Sequence, residues 1–458
     1  MMEKRLWKRL RQSVQSREDR LLLLYAIIVF FGGALRKWFI DSSVLANLVL
    51  MVQLCMPFIW VVLRSPGSVS PFRAFPILYL YFGYLVFHIV YPMQPTVYHG
   101  MLGILVYGGF WLGLFYYLAN RHKFFTPKLI PYFIIFTAGE IVLGFIQYQL
   151  PQGHFLNKYA LDVIQNIAVV GDSVRITGTF SYISGYGSFV MFLPFFIWAL
   201  TRLNYSLWLI ALAISMGLVG AFMTGSRGAV LVYLAYTGVI VVSLYSLKDI
   251  GSLVSRLFLP AVIGIAIIIG IGDNPIKTRI KKSYENFMDR LQRGRESGEQ
   301  AKRLTWDFRY FENLDRFPNI VTGIGLGSTY QGAGILFGPS KYAMQFGYVE
   351  GEFVKSILEG GMIYYLLKLI LATIAVLHFS FRQPLLRWLM WFSLAYGIPI
   401  IFNVHNAAFL LMGLILIDNI VWRQEQKERM VSPATPLPEK PPFQLKGGYP
   451  QVGDPVAP

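Results

Sequence analysis

Residues 207–244 read LWLIALAISMGLVGAFM, then TGSRG, then AVLVYLAYTGVIVVSL. Two apolar runs, 207–223 and 229–244, therefore flank a short polar stretch that carries one arginine, Arg227. Each run approaches the length of a helix that crosses a bilayer. A cation at the edge of hydrocarbon is costly unless it reaches water, the interface or an anionic partner. The glycines beside it let the backbone turn and let a ligand come close. We therefore interpret Arg227 as a candidate anion-binding residue.

The composition of the whole chain supports a membrane protein. Of 458 residues, 55% are hydrophobic and only 14% are charged, and the mean hydropathy is +0.51. In a soluble chain, about a quarter of all residues would be charged. Long apolar runs recur along the sequence, which predicts an all-α polytopic integral membrane protein.

The apolar runs predict about twelve transmembrane helices with one large, partly helical outer loop. The spans are predicted at 21–35, 44–63, 74–91, 101–119, 129–150, 185–201, 207–223, 229–244, 257–271, 353–377, 386–402 and 407–422. The resulting organisation is a basic cytoplasmic N-terminus (1–20), a first part of the bundle (21–271), a large periplasmic loop (272–352), a last part of the bundle (353–422) and a disordered, proline-rich cytoplasmic tail (423–458).

The distribution of Lys and Arg predicts the orientation. Basic residues are concentrated at 1–20 and in alternate loops, whereas the loops at 92–100 and 403–406 contain no Lys or Arg. The positive-inside rule then places both termini in the cytoplasm, as in a multi-pass protein of the bacterial inner membrane. Arg36 and Lys37 are exceptions to this charge pattern, because they follow the first span on the outer side. The net charge of +17 lies mostly at span ends, which favours membrane lipids over nucleic acid as its partner.

This topology places four charged residues on the outer side: Arg175, Arg227, Arg303 and Glu350. Arginine forms paired hydrogen bonds to phosphate oxygens and is permanently charged. Several arginines could therefore bind a diphosphate and stabilise its departure without a metal. We predict no cofactor, since no cluster has the spacing of metal ligands. The candidates for taking a proton from an acceptor hydroxyl are Glu350, Glu352, His154 and His405.

Each candidate also has a purely structural interpretation. Arg227 could reach the headgroups, Arg175 could pair with Asp172, and Arg303 could stack on Trp306. Glu350 and Glu352 could be solvated residues at the start of the tenth span, stabilised by the helix dipole. His405 could simply lie at the membrane interface. Within the fifth span, Glu140 either pairs across helices or marks a polar path.

Several short motifs together resemble the O-antigen ligase and polysaccharide polymerase superfamily. They are TGSRGA at 224–229 before an apolar helix, RITGTF at 175–180 opening a span, Arg303 with Trp306, Pro318, GIGLG at 323–327, and the helix 353–361 with Glu359. The resemblance covers about residues 130–420 and implies a membrane glycosyltransferase without a metal. Such an enzyme moves a glycan from undecaprenyl diphosphate to lipid A–core, as in ligases, or to another repeat unit, as in polymerases. It implies diphosphate binding by Arg175, Arg227 and Arg303.

One departure from the family pattern concerns the base. The family often has a His-Asn pair nine residues before the glutamate that matches Glu359, and this chain has Glu350 and Gly351 there. We therefore expect Glu350 to be the catalytic base, with Glu352 behind it and His405, Arg36 and Lys37 as accessory residues. The absence of the His-Asn pair favours a polymerase-like or unassigned branch of the superfamily over a ligase.

Two other function classes compete with the transferase. One is a transporter or flippase for a lipid-linked glycan or small anion, which would need ionisable residues along a path through the membrane. The other is a non-catalytic subunit that acts with other polysaccharide-assembly proteins. The concentration of charge on the outer side favours surface chemistry, and the resemblance implies that this chemistry belongs to surface polysaccharide or exopolysaccharide synthesis.

Overall fold

The computed structural model describes residues 16–160, 169–170, 173–245, 318–349, 351–397 and 403–431, with single positions at 251, 281, 285, 288 and 292. This part of the chain is helical apart from one two-residue antiparallel ladder, β1 (Val169–Val170) with β2 (Ser173–Val174). The helices are α1 (Arg17–Ala34), α2 (Ser43–Val62), α3 (Pro71–Ala74), α4 (Ile77–Val90), α5 (Val97–Asn120), α6 (Ile130–Gln149), α7 (Ile183–Arg202), α8 (Leu207–Met223), α9 (Arg227–Leu244), α10 (Gln331–Phe337), α11 (Lys341–Phe346), α12 (Glu352–His378), α13 (Pro384–Phe392) and α14 (Val404–Val431).

Eight helices in the described ranges are long and apolar enough to cross a membrane, which supports the helical membrane class. They are α1, α2, α5, α6, α7, α9, α12 and α14, and each coincides with a predicted span. Helices α4 and α8 also coincide with predicted spans but are shorter. The predicted span 257–271 and most of the predicted outer loop 272–352 lie outside the described residues. The eleventh predicted span corresponds to α13 and a π-helical turn, Ser393–Gly397.

The first span continues past its predicted end at residue 35. Helix α1 starts at Arg17 and continues as a π-helical turn, Leu35–Phe39, so Arg36 and Lys37 lie within its last turns and are buried. Charged residues usually mark the end of a span, but these two find partners in a distant loop. Lys37 Nζ donates to Thr177 Oγ1 at 2.9 Å and to the Gly178 carbonyl at 2.6 Å.

The centre of the bundle is formed by α5, α7 and α14. The apolar window of α14 is 89% buried, whereas those of α2 and α9 are 33% buried and therefore peripheral. Helix α7 packs against both α14 and α9. Four phenylalanine rings from separate elements meet in this core, at Phe30, Phe180, Phe189 and Phe409. Phe180 ends the RITGTF motif, so the core fixes one end of that loop.

Helix α12 is broken, although the sequence predicts one continuous span. Gly361 has φ +73°, and an added Cβ would lie 2.2 Å from the Val321 carbonyl oxygen. The break lets Lys368 Nζ reach Glu352 Oε1 at 2.6 Å. In an unbroken helix these residues would lie about 24 Å apart. The segment before Gly361 is therefore a separate short helix that faces a different part of the protein.

Candidate functional site

A cavity of about 650 Å³ lies where the ends of α1, α9, α12 and α14 meet the RITGTF loop. It is lined by three cations, a histidine and several neutral polar groups, including Arg36, Arg175, Lys355, His405, Ser226, Tyr159, Tyr182, Tyr330 and Asn403. No Asp or Glu among the described residues lines it. The lining side chains therefore carry a formal charge of +3. Lys355 lies 3.7 Å from Glu359 behind the wall, and the two arginines keep the cavity basic, which suits an anionic ligand.

Two of the sequence motifs meet at this cavity. Arg175 Nε donates to the Thr224 carbonyl at 2.9 Å, and the Ile176 amide donates to the Met223 carbonyl at 3.4 Å. The TGSRG stretch can turn here because Gly225 has φ +63°. Ser226 caps α9 and lines the cavity. Arg227 is the first residue of α9 and is half-buried, but it does not line the cavity as the structure describes it.

Arg36 contributes a largely buried guanidinium. Its side chain is 4% exposed, and Nη1 donates to Ser181 Oγ at 2.9 Å. Its Nε has no hydrogen-bond partner in the described part of the chain. Burial raises the pKa of Tyr330 to about 12, although the positive charge of Arg36 acts to lower this pKa. The neighbouring phenol is therefore protonated at neutral pH and does not neutralise the arginine.

The RITGTF loop is held by two side chains of α6. The Gln147 side-chain amide accepts from the amides of Thr177 and Gly178 and donates to the Gly178 carbonyl at 2.9 Å. Glu140 accepts from the Thr179 amide at 3.0 Å and from its hydroxyl. Glu140, which the sequence left as a cross-helix partner or a path residue, thus positions the loop that carries Arg175.

Lys355 is a site residue that sequence reasoning missed. Its side chain is 1% exposed, and Nζ lies 3.3 Å from the Thr329 carbonyl oxygen and 3.7 Å from Glu359 Oε1. Its Nζ also lies 5.2 Å from the centre of the Tyr330 ring. The available signal was the spacing of four residues between Lys355 and Glu359, which places the two on one helix face.

Glu359 organises the glycine-rich turn beside the cavity. Its carboxylate accepts from the amides of Gly327 and Thr329, each at 2.7 Å, and from the Tyr107 hydroxyl at 2.7 Å. Glycines at 323, 325 and 327 all have positive φ, which lets the chain pass close to α5 and α12. The turn delivers Thr329 and Tyr330 to the cavity wall.

His405 lines the cavity at the start of α14. It is 7% exposed and contacts the edge of Phe180, with ring centroids 5.5 Å apart. Its Nε2 has no hydrogen-bond partner among the described residues. A neutral imidazole nitrogen of this kind can accept a proton from a bound hydroxyl.

The other predicted site residues are not gathered in the cavity. Glu352 is buried and ion-paired with Lys368, and Lys37 is bonded to the RITGTF loop. His154 caps a short 3₁₀ turn, Phe155–Asn157. Arg303 and Glu350 lie outside the described residues. In the described ranges no group of three or more His, Cys, Asp or Glu could hold a metal ion.

Comparison with known proteins adds no assignment. No protein-family model, curated protein or solved structure matches the chain. The class that the fold and composition define is therefore a helical membrane protein with a basic cavity at one end of its bundle.

Proposed function

We propose that the protein is a membrane glycosyltransferase of the O-antigen ligase and polysaccharide polymerase kind. It would move glycan units from undecaprenyl diphosphate to an acceptor hydroxyl of a glycan or lipid-linked acceptor. The observation that carries the proposal is the cavity that gathers Arg36, Arg175 and Lys355 beside His405. The motifs of the resemblance, RITGTF and TGSRG, are joined by a hydrogen bond at its wall.

The cations suit a diphosphate. Guanidinium groups form forked hydrogen bonds to phosphate oxygens, and a buried ammonium adds a point charge. The start of α9 adds the positive end of a helix dipole next to Ser226. Charge that grows on the departing diphosphate would be stabilised by groups that are already in place. We assign Arg36, Arg175 and Lys355 to this task, with Arg227 and Arg303 retained from the sequence-based hypothesis.

The transfer needs an acceptor for one proton. The acceptor hydroxyl oxygen attacks the anomeric carbon, and the bond from that carbon to the diphosphate oxygen breaks. Undecaprenyl diphosphate leaves with the electron pair of that bond on its terminal phosphate oxygen. The hydroxyl proton passes to a base. His405 is the imidazole that lines the cavity and is our structure-based candidate for that role, while Glu350 remains the sequence-based candidate.

The predicted orientation agrees with this chemistry. The positive-inside pattern assigns the cavity end of the bundle to the outer face of the inner membrane. Lipid-linked glycans destined for surface polysaccharide or exopolysaccharide would be met on that face. Other polysaccharide-assembly proteins would be natural partners there.

The transporter alternative has weaker support. The three ionisable residues that the sequence places deepest in the spans, Glu140, Lys368 and Asp418, are held by structural contacts. Lys368 pairs with Glu352, and Asp418 accepts from the Tyr117 hydroxyl at 2.7 Å and from the Ser380 amide at 2.5 Å. Glu140 holds the Thr179 backbone.

The test is complementation of a deletion strain, with surface polysaccharide followed on a gel at matched membrane levels. Arg175→Gln, Lys355→Met and His405→Ala should each fail to restore the polymer, whereas Arg73→Gln, an exposed residue distant from the cavity lining, should restore it. Purified protein would then be assayed for release of undecaprenyl diphosphate.

Full polymer from all three cavity variants would refute the proposed site. Loss of polymer with lipid-linked glycan trapped on the cytoplasmic face would favour a flippase.

A further inference from the structure

A second basic cavity, of about 390 Å³, lies at the other end of the bundle. It is formed by the end of α12, the link to α13, and the last turns of α14. Helix α14 contributes His405 to the first cavity and Trp422 to the second, which places them about 25 Å apart along its axis. The two cavities are therefore separate sites.

Four arginines line this second cavity, at Arg121, Arg382, Arg387 and Arg429, against one carboxylate, Glu425. The lining side chains sum to 4 − 1 = +3, and because Arg121 Nε also lies 3.5 Å from the buried carboxylate of Asp418 behind the wall, the net excess is 3 − 1 = +2. Such an excess of positive charge at a membrane surface attracts phosphate-bearing groups.

Two of these arginines are held in place by hydrogen bonds to backbone carbonyls and to one serine hydroxyl. Arg121 donates to Ser380 Oγ at 2.8 Å and to the His378 carbonyl at 2.5 Å. Arg387 donates to the carbonyls of Phe381 at 3.0 Å and Phe379 at 3.2 Å. The wall is thus preorganised, which reduces the entropy lost when a ligand binds.

The other two arginines are more exposed and can adjust to a ligand. The side chain of Arg382 is 77% exposed, and its Nε lies 3.9 Å from Glu425 Oε1. Arg429 is also exposed, in the last turn of α14. The cavity therefore combines a hydrogen-bonded wall with two exposed arginine side chains.

An exposed apolar surface adjoins the charges. Leu377 lines the cavity and is 66% exposed, and Leu385 and Trp388 beside Arg387 are 48% and 68% exposed. Helix α13 is attached to α12 by the Trp391 indole, which donates to Thr373 Oγ1 at 3.0 Å. A ligand that used both surfaces would need an anionic head and a hydrocarbon chain, which argues against a free phosphate compound.

We infer that this cavity binds the phosphate headgroup of an anionic phospholipid, with an acyl chain along Leu377, Leu385 and Trp388. The predicted orientation puts it at the cytoplasmic face, where anionic lipids attract basic side chains. The inference does not depend on the transferase proposal, because it uses no residue of the first cavity.

The experiment is lipid binding by the purified full chain in detergent, followed by native mass spectrometry and thermal unfolding. Phosphatidylglycerol would be compared with phosphatidylcholine of the same acyl chains. The variant Arg382→Gln with Arg429→Gln removes the two exposed arginines of the cavity. Arg64→Gln with Arg73→Gln removes two exposed arginines that do not line the cavity. We expect phosphatidylglycerol to bind the cavity variant about tenfold more weakly than wild type, and the control variant unchanged.

Three results would overturn the inference. One is equal binding of the two lipids by wild type. Another is an equal loss of affinity in the control variant, which would indicate general surface attraction. The third is stabilisation by sodium phosphate, at matched ionic strength, as large as that by phosphatidylglycerol, because the ligand would then be a free phosphate.

Discussion

Two buried carboxylates shape the loops around the first cavity. Glu140 accepts hydrogen bonds from Thr179, and Glu359 accepts from Gly327, Thr329 and Tyr107. A carboxylate can accept several donors at once, whereas an amide brings donors of its own. Neither acid lines the cavity, so we treat both as positioning residues rather than as groups that touch a substrate.

At the residue scale, Glu359→Gln should destabilise the protein by about 2 kcal/mol or more, because a buried amide cannot accept from every donor around it. Thermal unfolding in detergent measures the effect. Tyr107→Phe removes a single donor and should cost about 1 kcal/mol. Glu428→Gln, at an exposed position in the last turns of α14, serves as the control. Equal midpoints for wild type and Glu359→Gln would contradict the assigned role.

Gly178 is a second residue whose replacement tests the loop. It has φ +56°, and an added Cβ would lie 2.1 Å from Glu140 Oε2. Gly178→Ala should therefore lower the yield of folded protein and its thermal midpoint. Gly139→Ala is the matched control, because Gly139 is exposed on α6 with nothing within 4 Å of an added Cβ. Alanine in a helix should be neutral or stabilising there. An intact Gly178→Ala protein would show that the loop can move aside.

At the scale of elements, the break in α12 decides what its two halves do. The half before Gly361 carries Lys355 to the cavity and Glu359 to the glycine-rich turn. The half after Gly361 is apolar and forms part of a candidate membrane span. The ion pair between Glu352 and Lys368 joins the two halves within the protein interior.

This ion pair allows a test of the break. Lys368→Met should strongly destabilise the protein, by about 3 kcal/mol or more, because it leaves the buried carboxylate of Glu352 uncompensated. Glu352→Gln combined with Lys368→Met should recover most of that stability. Thermal unfolding of the single and double variants provides the measurement. A double variant as unstable as Lys368→Met alone would indicate that the two side chains do not interact.

At the scale of the whole molecule, basic cavities occupy opposite ends of α14. One combines arginines with an imidazole and neutral phenols, and the other combines arginines with an exposed apolar surface. This division suits a protein that performs chemistry at one face of a membrane and contacts lipid at the other. The orientation of the bundle decides which face is which.

Cysteine labelling tests that orientation. In a Cys55→Ser background, Gln331→Cys at the first cavity should react with a membrane-impermeant maleimide in spheroplasts. Arg382→Cys at the second cavity should react only after the membrane is opened. Both positions are exposed, so access depends on the side of the membrane. The reverse pattern would place the first cavity in the cytoplasm and remove the basis for outer-face chemistry.

The sequence by itself determined the class of the protein and the position of most spans. Hydrophobic run length is a local property, and for that reason eight predicted spans coincide with long apolar helices. It also selected Arg175, Arg36 and His405, since polar residues at span ends are conspicuous in so apolar a chain. The loops RITGTF and TGSRG were recognised as separate motifs.

Only the tertiary structure decided how those pieces combine. The hydrogen bond from Arg175 to Thr224 joins residues 49 positions apart, and the partners of Lys37 lie 140 and 141 positions away. The break at Gly361 and the burial of Lys355 depend on neighbours from distant segments. Such contacts arise from packing between helices, which no local pattern specifies, and they make Glu352 an ion-pair partner and Lys355 a member of the cavity.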